Sequence, residues 1–240
     1  MDEKSARLDL LIQALDQPDK KAVREAVDAL IPMAKSAPEV AARLSAALEA
    51  APAEKRWPIA YVLSHISPLS TSCVDALKDA LAFEDPDIRW AVALLLVRLA
   101  KKPEPAVAAH LIELLRCGSP TQRRMAVYCL RDIGAEEFLR SALQSALADS
   151  DPLVRVAAVT SLKAFPGIGR DAAEELLRLV AKDLDSRVRA SAALALAHVG
   201  APTERILLTL EDATRSPDAK LAKAARAALA LLEQKGPGSS

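Results

Sequence analysis

The chain has 240 residues, 51% hydrophobic and 3% aromatic, with 32 basic and 32 acidic side chains and no net charge. Zero net charge argues against retention on nucleic acid by bulk charge, since such domains are strongly basic. No run of about 18 apolar residues is present, so no membrane span is expected. Met1-Asp2-Glu3-Lys4-Ser5 is charged and unlike a signal peptide.

The elements in chain order read as short helices. Residues 3–15 form the first, burying Leu8, Leu11, Ile12 and Leu15, and Asp16-Gln17-Pro18-Asp19 is a turn. A helix around Arg24 buries Val23, Val27, Leu30 and Ile31 and leaves Glu25 and Asp28 outside. Pro38 opens a helix ending near Ala50. Next comes an irregular stretch with Pro52 and Pro58, where the helix either starts late, near Trp57, or kinks. Turns follow at Glu84-Asp85-Pro86 and Gly118-Ser119-Pro120, and a further helix covers 135–148. Asp151-Pro152-Leu153-Val154-Arg155 is a helix start. Asp151 caps free N–H groups, and Pro152 fits the first helical position. Val154, Ala158, Leu162 and Phe165 then share an apolar stripe. Pro166-Gly167-Ile168-Gly169 reads as the most flexible internal loop, ahead of a helix over 172–181. The last helix runs from Asp218 to Gln234, and residues 235–240 read as a disordered tail.

The Asp151 pattern recurs. Asp85-Pro86-Asp87-Ile88-Arg89 repeats it nearly position for position. Ser119 to Arg123 repeats it with Ser as the cap, and Asp185 to Arg189 without the proline. Weaker copies lie at Arg24, Arg56 and Ala222. The origins are therefore 24, 56, 89, 123, 155, 189 and 222, a period of 32 to 34 residues. So even a period signifies a solenoid in which each unit is a helix A, a turn and a helix B. Three residues past the origins lie Val27, Ile59, Val92, Ala126, Ala158, Ala192 and Ala225. Seven past lie Ile31, Leu63, Leu96, Leu130, Leu162, Leu196 and Leu229, and eleven past lie Gly134 and Gly200, suited to left-handed helix ends.

The D-P-x-[VI]-R-x-x-A-x-x-x-L signature, as in Asp151 to Leu162 and Asp85 to Leu96, resembles the HEAT-like repeat family in its short bacterial form. The likeness covers nearly all of residues 3–234. It implies an all-α, right-handed α-solenoid of about seven helix pairs, a single repeat domain over 1–234, with helix B lining the concave face. The Trp, Leu-Gly and Tyr spacing of tetratricopeptide repeats is absent.

Enzymatic signals are weak. Asp85, Asp151 and Asp185 each precede an arginine by four residues. Because this recurs, it reads as an inter-repeat ladder in which arginines bridge to the acidic cap of the adjacent repeat. His65, His110 and His198 form no metal set, His110 and Glu113 being a lone pair, so the His-Glu pairs of HEAT-like hydroxylases are missing. Cys73, Cys117 and Cys129 read as thiols of a reducing cytosol. Asp132 beside Arg131 reads as a solvated carboxylate, not as the catalytic one of HEAT-like glycosylases. No catalytic residue, metal or cofactor is assigned.

The aromatics carry the one functional signal. At about 100° per residue, positions +1 and +5 of helix B face away from the core. Trp57 and Trp90 occupy the first position, and Tyr61 and Tyr128 the second. Leu94, Arg124 and Arg131 share that face, with Arg98 at its edge. The expected function is a non-enzymatic, monomeric, cytoplasmic scaffold. It binds a protein or peptide with acidic groups at Trp57, Tyr61, Trp90, Leu94, Arg98, Arg124, Tyr128 and Arg131. The alternatives that the resemblance implies are a bilin-lyase-like tetrapyrrole-binding subunit and a nucleic-acid binder.

Overall fold

The computed structural model describes residues 3–66, 69–101, 106–134, 136–199 and 203–235. Gly200 and residues 236–240 of the tail expected over 235–240 lie outside them, while Lys235 is the last residue of a helix. Fifteen α-helices and no strand occur among the described residues, arranged along the chain as the helix pairs of an α-solenoid. The chain falls into two compact units, Met1–Ala109 and His110–Ser240.

The N-terminal unit contains α1 (Glu3–Ala14), α2 (Lys20–Ser36), α3 (Pro38–Ala50), α4 (Arg56–Leu63), α5 (Thr71–Ala80) and α6 (Pro86–Ala100). The boundary falls within α7 (Ala106–Cys117). The second helix of each pair carries the sequence origin. Asp19 caps α2 by accepting from Lys21 N–H at 2.9 Å, Ser70 caps α5 from Cys73 N–H at 3.2 Å, and Asp85 caps α6 from Asp87 N–H at 2.9 Å. Leu8, Leu30, Leu44, Leu48, Leu63 and Leu77 form the core, and Ile31 is only half-buried.

The irregular second repeat starts late. A 3-10 turn at Ala53–Lys55 precedes α4, which begins at Arg56. Pro58 therefore lies in the first helical turn, where an N–H would have no intrahelical partner. The residue before the origin is apolar and buried in most repeats, as at Val23, Val154, Val188 and Leu221. Here it is the exposed Lys55, so nothing seats an earlier turn in the core.

The C-terminal unit contains α8 (Pro120–Ile133), α9 (Glu136–Leu147), α10 (Pro152–Leu162), α11 (Pro166–Asp171), α12 (Ala173–Lys182), α13 (Ser186–Val199), α14 (Glu204–Thr214) and α15 (Ala219–Lys235). Ser119 and Gln122 make a capping box on α8. Gly134 ends α8 at φ 77°, a left-handed conformation that glycine adopts without Cβ strain. Helices α8, α10, α13 and α15 pack directly side by side in that order. Small residues permit this approach, with Ala126, Ala158, Ala192 and Ala225 all fully buried.

Pro166-Gly167-Ile168-Gly169 is not the flexible loop that its composition implies. It forms α11, with Pro166 at the first position and Ile168 and Gly169 buried. A Cβ on Gly169 would stand 2.3 Å from Val199 Cγ1, so this glycine is there for close helix packing. The helix expected over 172–181 is a separate one, α12, offset from α11 by a break at Ala172 (φ −89°, ψ 2°).

The arginine ladder exists in this unit, with a different acceptor from the one expected. Arg123 donates through Nε and Nη2 to both oxygens of Asp149 at 2.7 Å, and Arg155 grips Asp183 the same way at 2.8 Å. Arg189 reaches Asp218 at 2.6 Å. Asp149 and Asp183 lie two residues before the caps, and only Asp218 is itself a cap. Asp151 and Asp185 are already engaged by N–H groups of their own helices. Each arginine also ties its own turn. Arg155 Nη1 donates to the carbonyls of Asp149 and Ser150, and Arg189 Nη1 to those of Asp183 and Leu184.

Candidate peptide-binding groove

The N-terminal unit contains a groove of about 870 Å³. Its floor is α4, which contributes Trp57, Pro58 and Tyr61. One wall is α2 with Lys20, Val23, Arg24 and Val27, and the other is the start of α6 with Asp85, Asp87, Ile88 and Ala91. The local sequence explains the opening. Helix α4 is short and late, and α6 leans on α5 while its backbone barely approaches α4.

Ion pairs edge the groove. Lys20 Nζ, on the first residue of α2, lies 2.7 Å from Asp85 Oδ2 and 2.8 Å from Asp87 Oδ2. The Lys20 ammonium holds the Asp85 carboxyl below the ordinary carboxylate range, and the two carboxylates raise the Lys20 ammonium. Lys55 Nζ lies 2.5 Å from Asp16 Oδ1.

The eight sequence-derived site residues divide between the two units. In the N-terminal unit, Trp57 and Tyr61 line the groove and are half-exposed. Trp90 immediately precedes the wall residue Ala91 and is 43% exposed. Leu94, one turn further along α6, is 64% exposed. Arg98 is turned to His65, its Nη2 lying 2.6 Å from the imidazole Nε2. Since a guanidinium only donates, that nitrogen accepts, and the imidazole proton resides on Nδ1, 2.9 Å from the Tyr61 carbonyl oxygen. The Tyr61 and His65 rings lie 5.3 Å apart.

In the C-terminal unit, Arg124 and Tyr128 are half-buried on α8. The Arg131 guanidinium carbon lies 5.2 Å from the Tyr128 ring centroid, a cation–π distance. Arg131 Nε also donates to Asp132 Oδ1 at 2.7 Å. This local pairing accounts for the Asp132 carboxylate.

Sequence reasoning missed the α2 wall, the Asp85 and Asp87 rim and the Lys20 bridge. The available signal was Lys55, a charge at a position that is apolar in most other repeats. Among the described residues no His, Cys, Asp or Glu cluster has metal-site geometry, and His110 Nδ1 stands alone with Glu113 at 3.7 Å. Cys73 and Cys129 are buried thiols in no disulfide among the described residues, and burial pushes the Cys129 thiol up to about 12. Cys117 is an exposed free thiol. No helix among the described residues is long and apolar enough to cross a membrane.

A family model for HEAT repeats matches residues 40–131, 108–197 and 139–230. A search of curated proteins gave no match. Among solved structures, an engineered protein is similar at 20% identity over 96% of this chain and 98% of its own, with a TM-score of 0.47. Human deoxyhypusine hydroxylase in complex with glycerol is 18% identical over 95% of this chain and 96% of its own, with a TM-score of 0.45. The complex of CpcE and CpcF of phycocyanin lyase from Nostoc is 21% identical over 95% of this chain and 94% of its own, with a TM-score of 0.38. The overlapping family matches extend from residue 40 to residue 230, with the same helix-pair architecture throughout, and the chain belongs to the HEAT-repeat family.

Proposed function

We propose that this protein is an interaction module whose N-terminal groove holds an extended peptide segment of a partner protein. The observation that carries the reading is the apolar floor of Trp57, Pro58 and Tyr61, two of them aromatic, in a groove of about 870 Å³. That volume lies within the range of ligand-binding clefts. Trp and Tyr bury large area for few rotatable bonds, which is why they dominate binding hot spots. Trp90 and Leu94 extend the apolar surface along α6 beyond the groove.

The expected preference for acidic partners rested on Arg98, Arg124 and Arg131. None of these lines the groove, and Arg98 and Arg131 already have partners in His65 and Asp132. The groove reading therefore stands on its apolar floor. Its test is selection of random displayed peptides on the full chain, followed by affinity measurement on variants. Trp57→Ala and Tyr61→Ala should each weaken a selected peptide by roughly 2 kcal/mol or more. Phe138→Ala, an exposed apolar position of the C-terminal unit, should leave it unchanged. Equal affinity for wild type and Trp57→Ala would sink the proposal.

A further inference from the structure

We infer that the segment bound in this groove carries a basic side chain, a lysine ammonium or arginine guanidinium, that replaces Lys20 between Asp85 and Asp87. The inference rests on the groove reading above and specifies the occupant's chemistry.

Asp85 and Asp87 form the rim of the α6 wall. Both are engaged by one cation, Lys20, which comes from the opposite wall and from 65 and 67 positions away in the chain. The chain thus displays on itself what the rim holds: a primary ammonium between two carboxylates, beside an apolar floor. That bridge is easily exchanged. The Lys20 side chain is 62% exposed and those of Asp85 and Asp87 27% and 79%, so the arm to Asp87 is an exposed pair of the kind that contributes little to stability. A ligand cation arriving at the rim replaces an interaction of similar strength, and anchoring by Trp57 and Tyr61 supplies the difference in its favour.

The lining as a whole carries one more acid than base, and the excess grows once Lys20 is displaced. Its acids are Asp16, Asp28, Glu54, Asp85 and Asp87, and its bases are Lys20, Lys21, Arg24 and Lys55. Lys55 is paired with Asp16, and Lys21 points along its own helix to Glu25 at 3.8 Å. Once Lys20 is displaced, Arg24 is left among Asp28, Glu54, Asp85 and Asp87, a surface complementary to positive charge. Ile88 and Ala91 continue along α6 from the carboxylates. The recognised pattern is therefore a basic residue with an aromatic or aliphatic residue close to it in sequence. Lys20 acts as a resident competitor.

The experiment selects random displayed peptides on the full chain and measures the best binder by fluorescence polarisation against four variants. Peptides should be enriched in Lys or Arg near an apolar residue. Lys20→Ala should tighten binding by about threefold, because the competing ammonium is gone. Asp85→Asn and Asp87→Asn should each weaken it by about tenfold, with the α6 cap kept, since Asn caps as well as Asp. Trp57→Ala should weaken it as well. If the selected peptides depend on Trp57 but are rich in Asp or Glu, or if Lys20→Ala weakens them, the basic-ligand inference is overturned and the groove reading stands. If no peptide is retained, or the retained ones ignore Trp57→Ala, both are overturned.

Discussion

The two units use the same helix pair with different connections between neighbours. In the C-terminal unit, Asp149 and Asp183, six residues before their origins, each receive a two-pronged arginine from the preceding repeat. Consecutive B helices α8, α10, α13 and α15 stay in side-by-side contact. In the N-terminal unit the corresponding positions are Ala50 and Phe83, whose side chains offer no acceptor to an arginine. Arg56 Nε instead donates to the Ala51 carbonyl oxygen at 2.8 Å. Arg89 Nη1 holds the Phe83 and Glu84 carbonyls, and its Nε is buried without a partner among the described residues. Helices α2 and α4 stay packed without a carboxylate rung, whereas α4, which starts late, and α6 part and the groove opens between them.

The largest test of that contrast removes a rung. Arg155 and Asp183 side chains are 14% and 4% exposed, so Asp183→Ala leaves an uncompensated guanidinium largely out of water. It should cost about 3–5 kcal/mol in urea unfolding of the full chain. A cost below about 1 kcal/mol, the level of an exposed pair, would show that the ladder does not hold the stack.

A second test separates the two faces of one B helix. Leu130 on α8 is 2% exposed, and Leu130→Ala should cost about 2–5 kcal/mol through lost contact and the cavity left behind. Arg124→Ala, on the outward face, should stay within about 0.5 kcal/mol. The reverse ranking would mean that the faces are assigned wrongly.

Gly169→Ala measures how closely α11 is pressed onto α13. Its Cβ would meet Val199 Cβ at 2.5 Å, so overpacking should cost about 1–3 kcal/mol, visible as a lower thermal midpoint. A midpoint equal to wild type would mean that α11 is loosely held.

The smallest effect is that of acid on the ladder. Burial pushes the Asp149 carboxyl up, but Arg123 and the Asp151 N–H more than offset this and leave it below the ordinary range. Ser186 and Arg189 hold the Asp218 carboxyl at about 2. A carboxyl depressed in the folded state contributes stability that is present above the unfolded value of about 3.9 and is lost as pH falls through the folded value. The thermal midpoint should therefore drop between about pH 4 and pH 2, and Asp218→Asn should flatten part of that drop. An identical acid profile in wild type and Asp218→Asn would remove Asp218 from the account.

The regular features were legible because they repeat. The arginine origins, the Asp and Ser caps, the buried Leu130 and Leu162 and the left-handed Gly134 all follow from local spacing. The misses were decided by neighbours. Gly167 and Gly169 read as flexibility, yet Val199, thirty residues further on, makes Gly169 a packing position. Two of the three ladder acceptors, Asp149 and Asp183, lie two residues before the expected caps, and only Asp218 is itself a cap. Trp57 and Tyr61 were found through outward helical spacing. Lys20, Asp85 and Asp87 were missed as a site because nothing in the sequence brings the first and third repeats together. The late start of α4 does so by setting the second repeat back between them.

Amide hydrogen exchange of the full chain, with and without a selected peptide, tests the central contrast most directly. The account predicts slower exchange on binding in residues 20–28, 53–63 and 85–91, and unchanged exchange across α10 to α15. Protection confined to the C-terminal unit, with none at 53–63, would contradict it.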